Sequence, residues 1–156
     1  MTMTWTSTEE ALRAAAVRYA MGVDRRDPEL FLSALHPQAR LRVQGTDFEA
    51  VGHEQLAAVV DRMKAYDKTF HFVGNTLYDV DVDVDVDVNV DGSVGGGGRG
   101  DDTASGEVYG LAHHLSGGKD QVMVVRWRDT YRRDGGDWRI SDRTVVVDWT
   151  YTVATD

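Results

Sequence analysis

The sequence predicts an α+β domain, a cone-shaped curved antiparallel sheet wrapped around N-terminal helices. Three observations carry this. Apolar residues recur at helical spacing as far as Tyr66. From Thr69 onward the chain turns to long runs of branched and aromatic residues. Those runs are separated by Gly-rich turn signals at Gly117-Gly118 and Gly135-Gly136. Helices first and consecutive strands after describe a sheet that curls over the helices and leaves a mouth.

Each element follows from local chemistry. Ser7 with Glu10 three residues on forms a capping box, and Leu12, Ala15, Ala16, Tyr19 and Val23 give the first helix one apolar stripe to about Asp24. Asp27 and Pro28 read as the N-cap and first position of a short second helix carrying Phe31, Leu32 and Leu35, with Pro37 as its stop. Residues 39–44 and 48–51 read as a hairpin around Gly45-Thr46. A third helix over about 53–66 carries Leu56, Val59, Val60 and Met63. Strands are then expected from Thr69, and over 103–115, 121–133 and 138–151.

Residues 80–100 stand apart. Valines at even positions from Val80 to Val90 alternate with Asp81, Asp83, Asp85, Asp87 and Asn89, so a strand here has one apolar and one anionic face. At about 3.4 Å per residue such a run extends ~37 Å and is expected to overhang the domain, ending in a Gly-rich tip. Asp87, Asn89, Asp91 and Gly92 match the first half of a calcium loop, but Gly98 stands where a bidentate glutamate is needed and no helices flank it. A solvated acidic strand is the simpler reading.

A chain of 156 residues is the size of one domain, taken as 1–156 with a hairpin extension at about 80–102. There is no cysteine, hence neither a disulfide framework nor a thiolate metal site. The N-terminal residues lack a basic segment followed by an apolar one, and no apolar run is long enough to span a bilayer, so a cytoplasmic protein without membrane contact is expected. A formal net charge of −9 argues against a phosphate-tracking nucleic-acid surface.

The candidate reactive centre is His71. In a strand it shares a face with Val73 and Asn75 while Phe70, Phe72 and Gly74 face away, which sets an imidazole on an apolar surface. An imidazole there, oriented by a carboxylate, is a general base. Asp24 is the candidate partner: it ends the first helix, where the helix dipole does not favour a carboxylate, so its placement asks for a reason. Tyr19, about 140° around the helix, can border the same cavity. His113 and His114 point opposite ways, and one of them is expected to face the cavity; His113, beside Tyr109 and Leu111, is preferred. Arg143 shares a face with Val145, Val147 and Trp149 if the last strand is regular, and either pairs with a carboxylate or awaits an anion. Arg126 and Arg128 read as outer, solvating charge.

The order of these features, from Tyr19, Asp24 and Asp27 through His71 and Asn75 to the 104–114 strand, then Trp138, Ile140 and Arg143, resembles the SnoaL-like branch of the NTF2-like superfamily. That branch includes scytalone dehydratase, bile-acid 7α-dehydratase and hexachlorocyclohexane dehydrochlorinase. The resemblance spans the chain apart from about 82–102. It implies an Asp-His dyad at the bottom of the cone at Asp24 and His71, a tyrosine near the substrate at Tyr19, an arginine at Arg143, and a second polar catalytic group at His113. It also implies a homo-oligomer, dimer or trimer, and chemistry that needs neither a metal nor an organic cofactor.

The functional expectation is a cofactor-independent lyase of dehydratase type acting on a hydrophobic small molecule, with an Asp-His dyad as general base. Alternatives are a polyketide-type cyclase or isomerase in the same pocket, a non-catalytic binding or oligomerisation module, and a metal site built from Asp24, His71 and His113.

Overall fold

The computed structural model describes residues 7–81, 87–88, 94–95 and 102–155. In chain order these are α1 (Thr8–Arg25), α2 (Pro28–Ser33), β1 (Leu35–Val43), β2 (Glu49–Val51), α3 (Gly52–Arg62) with a 3₁₀ turn at Met63–Ala65, β3 (Lys68–Asp81), β4 (Asp87–Val88), β5 (Val94–Gly95), β6 (Asp102–Ser116), β7 (Lys119–Asp134) and β8 (Asp137–Ala154). Six strands form one curved, unclosed sheet in the order β2-β1-β8-β7-β6-β3, with the helices against its inner face.

The expected antiparallel sheet is in fact mixed. β1 lies parallel to β8 while its other partner, β2, is antiparallel. The second helix also ends earlier than expected, at Ser33, and Leu35 and Pro37 belong to β1. Pro37 falls where the register with β8 shifts, between Leu35 and Arg40, a place where a missing backbone N–H does not break the ladder.

Local signals otherwise set the helices as read. The Ser7 hydroxyl accepts from the Glu10 backbone N–H, and the Asp27 carboxylate accepts from that of Leu30 with Pro28 in the first turn. Arg26, at φ 53°, closes α1 in the left-handed conformation. Gly22 lets α2 cross close by, since a Cβ there would stand 2.4 Å from the Phe31 nitrogen. Leu12, Ala15, Ala16, Tyr19 and Val23 then bury against the sheet.

Most of the valine-aspartate run lies outside the described residues, and so does the calcium-loop match beyond residues 87–88. Within them, Val80 pairs with Ala104 and Asp81 with Thr103, while β4 and β5 make a separate two-stranded antiparallel ribbon.

Deep in the core is an ion pair. Arg143 donates from Nε and Nη2 to the Asp129 carboxylate at 2.8 and 2.7 Å, and the Tyr131 hydroxyl donates to the same group at 2.7 Å. Both side chains of the pair are fully buried. The guanidinium carbon is 4.2 Å from the Tyr19 ring centre and 4.8 Å from that of Trp127, so the charge is also faced by two aromatic rings.

Removing one partner of such a pair leaves the other buried and uncompensated. Asp129→Ala is expected to cost about 3–5 kcal/mol in a urea denaturation. Asp142→Ala, which breaks the half-exposed pair with Arg42, is expected to cost under about 1 kcal/mol. Equal losses from the two would refute the structural role given to Asp129.

Candidate active site

The antiparallel register of β3 and β6 decides which side chains meet inside the cone. His71 stands opposite Ala112 and Thr69 opposite His114, so His71, Ala112 and His114 share the inner face. Together with Tyr19 and Val23 from α1 and Trp127 from β7 they line a cavity of about 230 Å³. Gly110 makes room for that wall, because a Cβ there would lie 2.6 Å from the Trp127 ring.

Asp24 and His71 are joined as expected. The Asp24 carboxylate accepts three hydrogen bonds from the start of β3: from His71 Nδ1 at 2.7 Å, from the His71 backbone N–H at 2.7 Å and from the Thr69 hydroxyl at 3.0 Å. Burial raises the carboxyl's pKa, but the hydrogen bonds and charge of His71 and the Thr69 hydroxyl outweigh it and hold Asp24 below its ordinary value. An ionised carboxylate only accepts, so Nδ1 carries a proton, and the tautomer this selects has its lone pair on Nε2. The arrangement gives a base of fixed tautomer in an apolar cavity.

The second histidine on the wall is His114, not His113. Phe70 faces His113 across the strand pair, and both lie on the outer face. There His113 Nδ1 donates to Asp120 at 2.7 Å. Its neighbours Tyr109 and Leu111 are apolar because the outer face is itself apolar, which is why they pointed the wrong way. Asp24, His71 and His113 therefore do not form a metal set, and among the described residues no group of three potential metal ligands occurs.

The His114 ring meets the edge of His71 at 5.5 Å and lies 4.7 Å from the Tyr66 ring. Burial and the neighbouring His71 lower its pKa, against weaker opposing effects from the Gln121 backbone, Asp24 and Asp120, so it is neutral at pH 7. Its Nδ1 is buried without a hydrogen-bond partner.

Tyr19 borders the cavity and is almost fully buried; burial raises its pKa more than Arg143 lowers it, so it keeps its proton and remains a donor. Arg143 is a correction. It is not part of the wall but stands behind Tyr19 and Trp127, its charge taken up by Asp129. The bulge at Asp148, where Val124 pairs with Trp149 and Val125 with Val147, also turns Trp149 to the outer face, away from Arg143, Val145 and Val147. Asp129 was not anticipated. Its signal was an acid between two inward aromatics, Trp127 and Tyr131.

These shifts fix a pH dependence. His114 binds its proton more weakly in the folded state than in the unfolded chain, so stability is lost as pH falls below the ordinary histidine value of 6.5. The lowered Asp24 pKa adds stability that is present above its ordinary value of 3.8 and lost as pH falls through the folded value. Melting temperature is therefore expected to fall in two acid stages, with His114→Gln flattening the stage below pH 6.5 and Asp24→Asn the stage below 4. A His114→Gln curve parallel to the parent between pH 7 and 5 would contradict the assignment.

Known proteins agree with this architecture. Residues 6–144 match the family model of the SnoaL-like domain. The fold is similar to a protein from Novosphingobium aromaticivorans provisionally assigned as a scytalone dehydratase, at 15% identity over 95% of this chain and 89% of that one, with a TM-score of 0.72. It is similar to an NTF2-like protein with a cystatin-like fold from the same organism, at 21% identity, coverage of 90% and 81% and a TM-score of 0.65. A third likeness is to the type-3 hexachlorocyclohexane dehydrochlorinase LinA of Novosphingobium barchaimii, at 17% identity, coverage of 94% and 90% and a TM-score of 0.68. No protein of curated function matches the sequence. By its family match and its cone of helices and sheet, the chain belongs to the SnoaL-like domain family, on the NTF2-like fold.

Proposed function

We propose that the cavity is the active site of a cofactor-independent lyase of dehydratase type, acting on a hydrophobic small molecule. One observation carries this reading: His71 Nδ1 is held 2.7 Å from the Asp24 carboxylate, which leaves Nε2 as a base facing an open apolar cavity. A binding module with a vestigial pocket would instead have side chains filling the space and His71 bonded to backbone alone. Two structural neighbours, one provisionally assigned as a dehydratase and one a dehydrochlorinase, are named for eliminations, which supports the same class.

In this mechanism His71 removes a proton from carbon next to an activating carbonyl. The C–H electron pair becomes the new C=C bond as the C–O bond to the leaving hydroxyl breaks, and the abstracted proton leaves with that hydroxyl as water. Tyr19, protonated, donates a hydrogen bond to the oxygen on which charge develops. His114 takes the part expected of His113, meeting the leaving group and passing the proton. Arg143 is a positioning residue that fixes the Tyr19 ring from behind.

General-base catalysis contributes about 10²–10⁴-fold, so His71→Ala is expected to lower kcat by at least that range while circular dichroism shows the fold retained and melting falls only by the loss of one hydrogen bond to Asp24. Mass spectrometry of the product identifies the reaction: loss of one water marks a dehydratase, unchanged mass a cyclase or isomerase. Full turnover by His71→Ala would end the proposal.

The same reading includes a homo-oligomer, dimer or trimer, in a cytoplasmic setting. The outer sheet face exposes Phe70, Phe72, Leu77, Tyr109, Trp149 and Tyr151, from 48 to 78% exposed. At about 100 Å² or more per large aromatic or aliphatic side chain they approach the ~800 Å² per partner of a standard interface. The charges among them are already paired, Arg126 with Asp148 and Arg128 with Glu107. Such a patch adds no net charge to repel a second copy of a −9 protein. Light scattering after gel filtration is expected to give a dimer or trimer, and Phe72→Glu with Trp149→Glu a folded monomer; a monomeric parent at 100 µM would refute it.

A further inference from the structure

The cavity wall carries one permanent charge. Of its lining residues, Tyr19, His71, His114 and Arg62 are titratable; Arg62 is the only strong cation, and no carboxylate lines the wall among the described residues. It is the last residue of α3, exposed, beside Val59 and Met63 of the same helical segment. Its guanidinium carbon lies 5.2 Å from the centre of the Phe48 ring, which also lines the cavity. The contact is with the face of the ring, and no hydrogen bond from the guanidinium to another described residue accompanies it.

Its neighbours account for the roles a cation could otherwise have there. The carbonyls of Met63 and Tyr66 in the turn after α3 accept from Arg26 Nη2 at 3.1 Å each, so that turn is held by a different arginine. The nearby Asp61 is engaged by Lys64 at 2.7 Å. Among the described residues Arg62 has no ion pair, and its recorded partner is the Phe48 ring. The half-exposed Arg42, by contrast, is matched with an acid, and so is the fully buried Arg143.

The cavity thus has two chemically different poles: the imidazole base on the sheet and a guanidinium at the rim, with apolar wall between them. We propose that Arg62 is a specificity-determining residue that binds the carboxylate of an anionic substrate, so that the site takes small aromatic or alicyclic carboxylic acids. The inference rests on reading this cavity as the substrate site and names the substrate class. A cavity of about 150 Å³ holds benzene; at about 230 Å³ this one admits a somewhat larger ring system. The planar fork of arginine matches a carboxylate bidentately. The chain's net charge of −9 opposes anions at long range, but that field is screened beyond about 8–10 Å, whereas Arg62 is on the cavity wall itself.

Isothermal titration calorimetry with 2-naphthoate and its neutral isostere 2-naphthamide tests this on the full chain, without need of the natural substrate. Naphthoate is expected to bind roughly fivefold or more tightly than naphthamide, with an advantage that shrinks as salt rises. Arg62→Gln should bring the ratio to about one while leaving naphthamide affinity unchanged, and Arg62→Lys should retain part of the preference. His71→Ala should keep the preference, whereas a carboxylate held by the histidines would lose it there. Equal binding of the two probes, no binding of naphthoate at millimolar concentration, or a preference that survives Arg62→Gln overturns the proposal. The outcome is separable from the reaction: an absent elimination with a preserved naphthoate preference removes the lyase reading and leaves the substrate class standing.

Discussion

A single carboxylate ties the helical layer to the sheet at the point where both approach the cavity. Asp24 lies in the last turn of α1 and accepts from a hydroxyl, a backbone N–H and an imidazole N–H within three residues of β3. The helix dipole works against a negative charge there. Three charge-assisted hydrogen bonds outweigh that penalty and the cost of burial, as the lowered pKa of the group records. Structure and chemistry cannot be separated at this site, because the bonds that anchor β3 to α1 are those that fix the His71 tautomer.

A second charge pair stabilises the opposite wall. Asp129 and Arg143 bridge neighbouring strands β7 and β8 at the core, and the guanidinium packs against Tyr19 and Trp127. Tyr19 also contacts Phe31 of α2 at 4.9 Å between ring centres. The tyrosine is consequently held on several sides, and its hydroxyl position is a property of the core as well as of α1. Burying two ions to position an uncharged phenol is costly unless each donor and acceptor is matched. Asp129 meets that condition with three hydrogen bonds, and Arg143 meets it in part with two aromatic faces in place of a third partner.

The features legible in the sequence were those set by nearest neighbours along the chain. The Ser7 and Asp27 caps, the apolar stripe of α1 and the run of long strands all follow from spacing a few residues wide. The pairing of Asp24 with His71 was also legible, since a carboxylate at the wrong end of a helix and a histidine opening a strand both lacked a local explanation. What local spacing does not contain is relative placement across the sheet. The parallel β1–β8 pair is set by how the chain leaves α2. The bulge at Asp148 inverts which residues of β8 face inward, and no residue type announces it.

The exchange of His113 for His114 has a deeper origin. Antiparallel sheets in monomers ordinarily alternate apolar with polar residues, and the apolar set marks the inside. Here both faces of β6 carry apolar side chains: Val108 and Ala112 are buried inside, while Tyr109 and Leu111 lie outside among Phe72, Val124 and Trp149. Alternation alone then fixes that the two histidines diverge but not which is internal. The missing information is the pairing partner. Because Thr69 sits opposite His114 and its hydroxyl reaches Asp24, the face containing His71 must also contain His114. An outer face as apolar as the inner one removes the sequence's usual mark of orientation, and an exposed apolar face of this kind is itself uncommon on a monomer.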